Sequence, residues 1–251
     1  MSSRRLVTLV ETTTPIRAFR KAVQPKQAAT PKARSCHLLN RIQMKQLLSR
    51  LGSVLRPLGY KPWKASFVKA DASFYRLVDI QRGAHGGGYF FINVCVHPMG
   101  LPKLQVGKIS IQTRPKEYDC ILRHRIEDIA TGNIFDCFIQ RLVSWDDEEA
   151  IQAVEKHFPS HVEPWIQHWA SFSTILSAET DELYSMLTVA PIVFQKATLM
   201  LKCFCCHKLG DLTRARQYLD QYLSAPSGDH KFLEVDQYMW QLVQQESVSP
   251  N

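Results

Sequence analysis

Long apolar runs are missing from this chain: no stretch approaches the roughly 18 to 20 residues a membrane helix needs, which argues for a soluble protein without a membrane role. No secretory h-region precedes the cysteines, and their number is odd. Cys36, Cys95, Cys120, Cys137, Cys203, Cys205 and Cys206 stand mostly in apolar context, so buried thiols in a reducing, cytoplasmic compartment fit better than a disulfide frame. Neither a serine nucleophile elbow nor a Walker pattern occurs. No second Cys-x-x-Cys knuckle exists to complete a zinc site around residues 203–207. These absences name no reaction, and they leave no cofactor, metal or catalytic residue to expect. An enzyme is not thereby excluded.

Acidic residues are scarce at one end only. Residues 1–45 hold ten Lys and Arg against the single acid Glu11, a charge of +9, so the remaining 206 residues sum to −1. The net charge of +8 therefore belongs to the tail and not to the folded part. Residues 1–43 also lack an apolar period, and a segment that buries little cannot repay the entropy of ordering, so disorder is expected there. Three readings of this basic tail stay open: a non-native extension ahead of a natural start at Met44, a targeting segment, or an arm for nucleic acid.

What is present is an apolar pattern that changes period along the chain. Leu38, Ile42, Leu47, Leu48, Leu51, Val54 and Leu55 predict a helix over 38–56, stopped by Pro57 and Gly59. Residues 65–69 read as a short strand. Residues 74–80 are apolar on both faces in their middle, as in a doubly buried strand. From Phe90, alternate residues Ile92, Val94 and Val96 form one face, while Phe91, Asn93, Cys95 and His97 form a mixed one. The linking glycines of 83–88 suit an antiparallel hairpin better than a phosphate loop, which would lead into a helix. Further strands are expected at 108–113 and 120–126, the latter setting Leu122 and Ile126 opposite Arg123 and Arg125.

After about residue 145 the pattern is helical. Asp146, Asp147, Glu148 and Glu149 suit a helix N-terminus running to His157, with Pro159 as its stop. Helices follow over 162–176, 180–187, 191–208, 211–223 and 232–243. Gly210 and Asp211 are placed as the end of one helix and the N-cap of the next. That hairpin is similar to half of a tetratricopeptide unit, but nothing repeats at that period. On it, Cys203, Cys205, Cys206 and His207 read as packed thiols rather than ligands. His157, His161 and His168 have no spacing that gathers them.

The helix end Leu55-Arg56-Pro57-Leu58-Gly59-Tyr60, Phe67, the strand of residues 75–82, the glycine loop, Tyr89-Phe90-Phe91-Ile92-Asn93-Val94 and the run of residues 120–126 together resemble a bacterial domain-of-unknown-function family, number 4304. The resemblance covers roughly residues 44–145. It implies a small cytoplasmic protein, with members similar in style to immunity proteins that neutralise contact toxins, and it transfers no catalytic motif.

The expected architecture is α+β. An N-terminal helix packs on an antiparallel sheet of about four or five strands (44–145), and an α-helical C-terminal part (146–251) packs on that. The expected function is non-enzymatic binding of another protein through Tyr75, Arg76, Gln81, Arg82, His85, Asn93, Arg123 and Arg125. The alternative is a hydrolase or nucleic-acid-processing enzyme with a polar cleft formed by Asn93, His97, His124 and Arg125. A binding protein should show one contiguous patch, and an enzyme a concavity in which those polar groups converge.

Overall fold

The computed structural model describes residues 31–83, 88–129, 134–140, 143–144, 146–228 and 230–244. Helix α1 (Pro31–Leu55) leads into a five-stranded antiparallel sheet, β1 (Lys61–Trp63), β2 (Ser66–Ala70), β3 (Phe74–Arg82), β4 (Phe90–Pro98) and β5 (Leu122–Arg125), whose spatial order equals its sequence order. Among the described residues, eight α-helices follow: α2 (Asp136–Gln140), α3 (Glu148–His157), α4 (Glu163–Trp169), α5 (Phe172–Ser177), α6 (Thr180–Met186), α7 (Phe194–Lys208), α8 (Leu212–Ser224) and α9 (Leu233–Gln244).

The sheet has two unlike faces. Phe67 of β2, Val78 and Ile80 of β3, and Ile92, Val94 and Val96 of β4 stand side by side in register and are buried. Against them α1 presents Met44, Leu47, Leu51 and Leu55, a spacing of three and four residues that keeps one helix face inward. Val154, Phe158, Val162 and Ile166 of the helical part join the same core. Arg50 ties the layers at the surface, its guanidinium 2.6 Å from both Glu148 and Glu155 of α3.

The opposite face carries Tyr75, Leu77, Asp79 and Gln81 of β3 against His97, Cys95, Asn93 and Phe91 of β4, with Arg123 and Arg125 of β5 beyond them. The segment after β4 folds back over one end of this face. There Tyr75, Leu77, Cys95 and Cys120 make a small second core. The other end carries Asp79, Gln81, Asn93 and Arg125.

Several elements depart from the sequence expectation. Helix α1 begins at Pro31, inside the stretch expected to lack structure; Pro suits a first helical position because its missing N–H would find no partner there anyway. Residues 108–113 do not form a strand: Ile111 makes one isolated bridge to Pro102, and the alternation there decorates a loop. The short strand β1 has no alternation to announce it, and its pairing Trp63↔Ser66 makes a tight hairpin instead. Pro159 does not stop the helix: a π-turn over Phe158–Val162 absorbs the extra residue and leads directly into α4. The single run expected over 162–176 is broken at Ala170, and Ser171 caps α5 by accepting from the Thr174 N–H at 3.3 Å. Gly210 (φ 78°) and the Asp211 cap, which accepts from Arg214 N–H at 3.0 Å, are as expected.

Candidate functional site

Strand pairing aligns Ser66, Asp79, Asn93 and Arg125 in one row across four strands of the outer face. Ser66 and Asn93 are buried despite their polarity, and each finds a hydrogen-bond partner on a neighbouring strand. The Ser66 hydroxyl donates to Asp79 Oδ1 at 2.6 Å. Burial pushes the Asp79 carboxyl above its usual range, with Glu117 adding to the rise and the Ser66 bond opposing it. Asn93, 2% exposed, donates through Nδ2 to Gln81 Oε1 at 3.0 Å.

Around Asn93 a cavity of about 360 Å³ opens, lined by Gln81, Asn93, Arg123, His124, Arg125, Asp128 and Ser185. The Arg125 guanidinium lies over the Phe91 ring, 4.1 Å from its centre, and reaches Glu127 only at 3.8 Å. Burial raises the Glu127 carboxyl above its usual range, against the pull of Arg125. Arg123 is held in an ion pair with Glu117. His124 packs edge-on against Trp165, and its burial lowers the imidazole pKa despite Asp128.

Four of the eight expected binding residues, Gln81, Asn93, Arg123 and Arg125, therefore meet in one concavity. The others go elsewhere. Tyr75 is buried in the second core and borders a hollow with Lys61, Trp63 and Arg114, and burial pushes its phenol up to about 12. Arg76 is buried on the helix-covered face and pairs with Asp71 at 2.7 Å. Arg82, on that same face, reaches the Met44 sulfur at 2.8 Å. His85 lies outside the described residues. Of the polar cleft imagined for an enzyme, Asn93, His124 and Arg125 converge, but His97 does not. Its ring is buried under the covering segment and accepts the Ile121 N–H at Nδ1, 3.3 Å away, and burial takes its pKa down to about 4.

Ser185 and Asp128 escaped the sequence reading because nothing in their local spacing joins them to residue 124. Ser185 Oγ is 3.4 Å from His124 Nε2, and His124 Nδ1 is 3.7 Å from Asp128 Oδ2, the atom order of a Ser-His-Asp relay. The group is not poised as one. The Ser185 hydroxyl donates to the Glu182 carbonyl at 2.8 Å, a shorter contact than the one to His124 and in competition with it. At 3.7 Å the carboxylate is beyond hydrogen-bond range and fixes no tautomer.

A second cavity of about 240 Å³ adjoins along the row, sharing the Arg123–Glu117 pair as its border. Trp63 and Tyr118 contribute to its walls, Leu77 and Asp79 to its floor. Among the described residues, no group of three or more His, Cys, Asp or Glu is placed to hold a metal ion. Cys203 instead donates to the Ala215 carbonyl at 3.3 Å, and Cys205 and Cys206 are buried beside it. No helix among the described residues is long and apolar enough to cross a membrane.

Comparison with curated proteins and with solved structures finds no match. A family model does match, over residues 51–168, which take in the last turn of α1, the whole sheet and its outer face, and the helices through most of α4. The domain built by these residues belongs to the family described as Domain of unknown function (DUF4304).

Proposed function

We propose that the protein is a non-enzymatic binding module that docks another protein on the outer face of its sheet. One observation carries this reading: helices pack on one face of the sheet, while the other carries a polar row with two adjoining hollows. Rigid strands hold Gln81, Asn93, Arg123 and Arg125 there, and a preorganised surface spends little ordering entropy on binding. A partner of the toxin kind, neutralised by being covered, is one form this takes, and the family resemblance supports it. The cytoplasm is the proposed setting, supported by six described cysteines that are all free thiols, five of them buried.

The alternative, hydrolysis in the polar hollow, draws on the convergence of Asn93, His124 and Arg125. Against it stand the Ser185 proton engaged by Glu182 and the unsupported imidazole. Binding of nucleic acid by the basic tail is a third possibility.

The test is affinity capture with the full chain, with a chain beginning at Met44, and with the double variant Gln81→Ala, Arg125→Ala, before and after nuclease. The expected result is a stoichiometric protein partner that survives nuclease and loss of the tail but is lost from the double variant. Retention by the double variant, or capture of nucleic acid alone and only by the full chain, overturns the proposal.

A further inference from the structure

The hollow between Trp63 and Tyr118 has a chemistry of its own. Its volume of about 240 Å³ suits one large side chain, and its floor joins the apolar Leu77 to the Ser66–Asp79 pair. Its rim is cationic. Lys64 stands 5.5 Å from the Trp63 ring centre, and Lys116 stands 5.4 Å from that of Tyr118. Lys61 and Arg114 line the next hollow along, which also includes Trp63. All four cations are exposed, and none has a carboxylate within ion-pair distance among the described residues, although the same surface pairs Lys103 with Asp119 and Arg123 with Glu117. Cations left unpaired beside aromatic walls are a surface complementary to negative charge on an apolar anchor.

Backbone strain points to the same place. Lys64 has φ 57°, the one positive-φ residue other than glycine among the described residues. It sits in the two-residue turn between Trp63 and Ser66, where glycine or asparagine would be the cheaper choice. The strained conformation holds a cation against Trp63, at the mouth of the hollow.

We infer that this hollow takes an apolar or aromatic side chain of a protein partner whose neighbouring residues are acidic, the carboxylates being met by Lys64 and Lys116. The inference rests on the binding-module reading and names the partner's chemistry. A peptide fits better than a nucleic-acid strand. Asp79 on the floor can accept a backbone N–H, whereas phosphates entering the hollow would meet the carboxylates of Asp79 and Glu117.

The experiment is selection of random twelve-residue peptides displayed on phage against the immobilised full chain. Winning peptides are then measured by fluorescence anisotropy on wild type and on Trp63→Ala, on the pair Lys64→Glu, Lys116→Glu, and on Arg125→Ala. A twelve-base oligothymidine is measured in parallel. Circular dichroism confirms that the surface variants stay folded. The expected result is peptides with Asp or Glu flanking Trp, Phe or Leu, weakened about tenfold or more by Trp63→Ala and by the charge reversal. Non-acidic peptides that depend on Arg125 but not on Trp63 sink this inference and leave the binding-module reading standing. If no peptide depends on either residue, or if oligothymidine binds through Trp63 and peptides do not, both fall.

Discussion

The Tyr60 hydroxyl donates to Glu163 Oε2 at 2.8 Å, joining residues 103 positions apart across the boundary between the sheet and the helical part. Glu163 lies on α4 and is buried, and it also accepts from Lys69 Nζ at 2.9 Å and from Gln167 Nε2. Burial and the nearby carboxylate together push the Tyr60 phenol well above its usual range, so the proton stays on tyrosine and the bond keeps one direction. A buried carboxylate satisfied by three donors is costly to lose, because its removal strands Tyr60 as well as Lys69.

Tyr60→Phe leaves Glu163 two donors, and its expected cost is about 1 kcal/mol; Glu163→Ala is expected to cost about 3 kcal/mol. Urea unfolding followed by both tryptophan fluorescence and far-ultraviolet circular dichroism checks this. In both variants the two probes should move together, since the bond spans both parts of the chain. Separate transitions would show that sheet and helices unfold independently.

His97 supplies a pH dependence. Its folded pKa is lowered to about 4 by burial, while an unfolded imidazole titrates near about 6.5. Between those values the unfolded chain binds a proton that the folded chain does not. Stability contributed by neutral His97 is therefore fully present above about 6.5 and drains away as pH falls toward 4, by an amount on the order of 3 kcal/mol. His97→Asn keeps an acceptor for the Ile121 N–H but cannot titrate. Urea unfolding at pH 7 and at pH 4.5 should show a smaller loss for the variant than for wild type; equal losses would remove His97 from the account.

The sequence carried the fold further than it carried the site, for a reason visible in particular residues. Alternation in 90–96 and the spacing of Leu47, Leu51 and Leu55 report burial directly, and burial is what orders these elements. The Gly210–Asp211 pair likewise carries its turn chemistry locally. Gln81, Asn93, Arg123 and Arg125 were legible because strand alternation put them opposite the core residues. Tyr75 and His97 share that face, yet they are buried by a segment whose return path leaves no periodic trace. Ser185, Asp128, Trp63 and Tyr118 reach the site from elements whose docking, not their local pattern, brings them there.

The Ser185–His124–Asp128 group yields a chemical prediction. With the Ser185 proton drawn to the Glu182 carbonyl at 2.8 Å, His124 at 3.4 Å and Asp128 3.7 Å from the imidazole, the hydroxyl is expected to be weakly activated. A fluorophosphonate probe should label the full chain no more than it labels Ser185→Ala, read by intact-protein mass spectrometry at pH 8. Stoichiometric labelling that vanishes in Ser185→Ala and in His124→Ala would revive the hydrolase alternative.

Lys64 permits a separation of stability from binding. Relief of its positive φ by Lys64→Gly is offset in part by the greater freedom of glycine in the unfolded chain, leaving an expected gain of about 0.5–1 kcal/mol. The substitution also removes the cation beside Trp63, so acidic peptide binding should weaken while the urea midpoint rises. A position that loses binding as it gains stability is one where strain is kept for function. Lys64→Asn supplies the control, since asparagine tolerates positive φ but bears no charge. It should match glycine in lost binding and fall between glycine and lysine in stability. A rise in midpoint with binding unchanged would show that the lysine is tolerated by the turn but not used by the hollow.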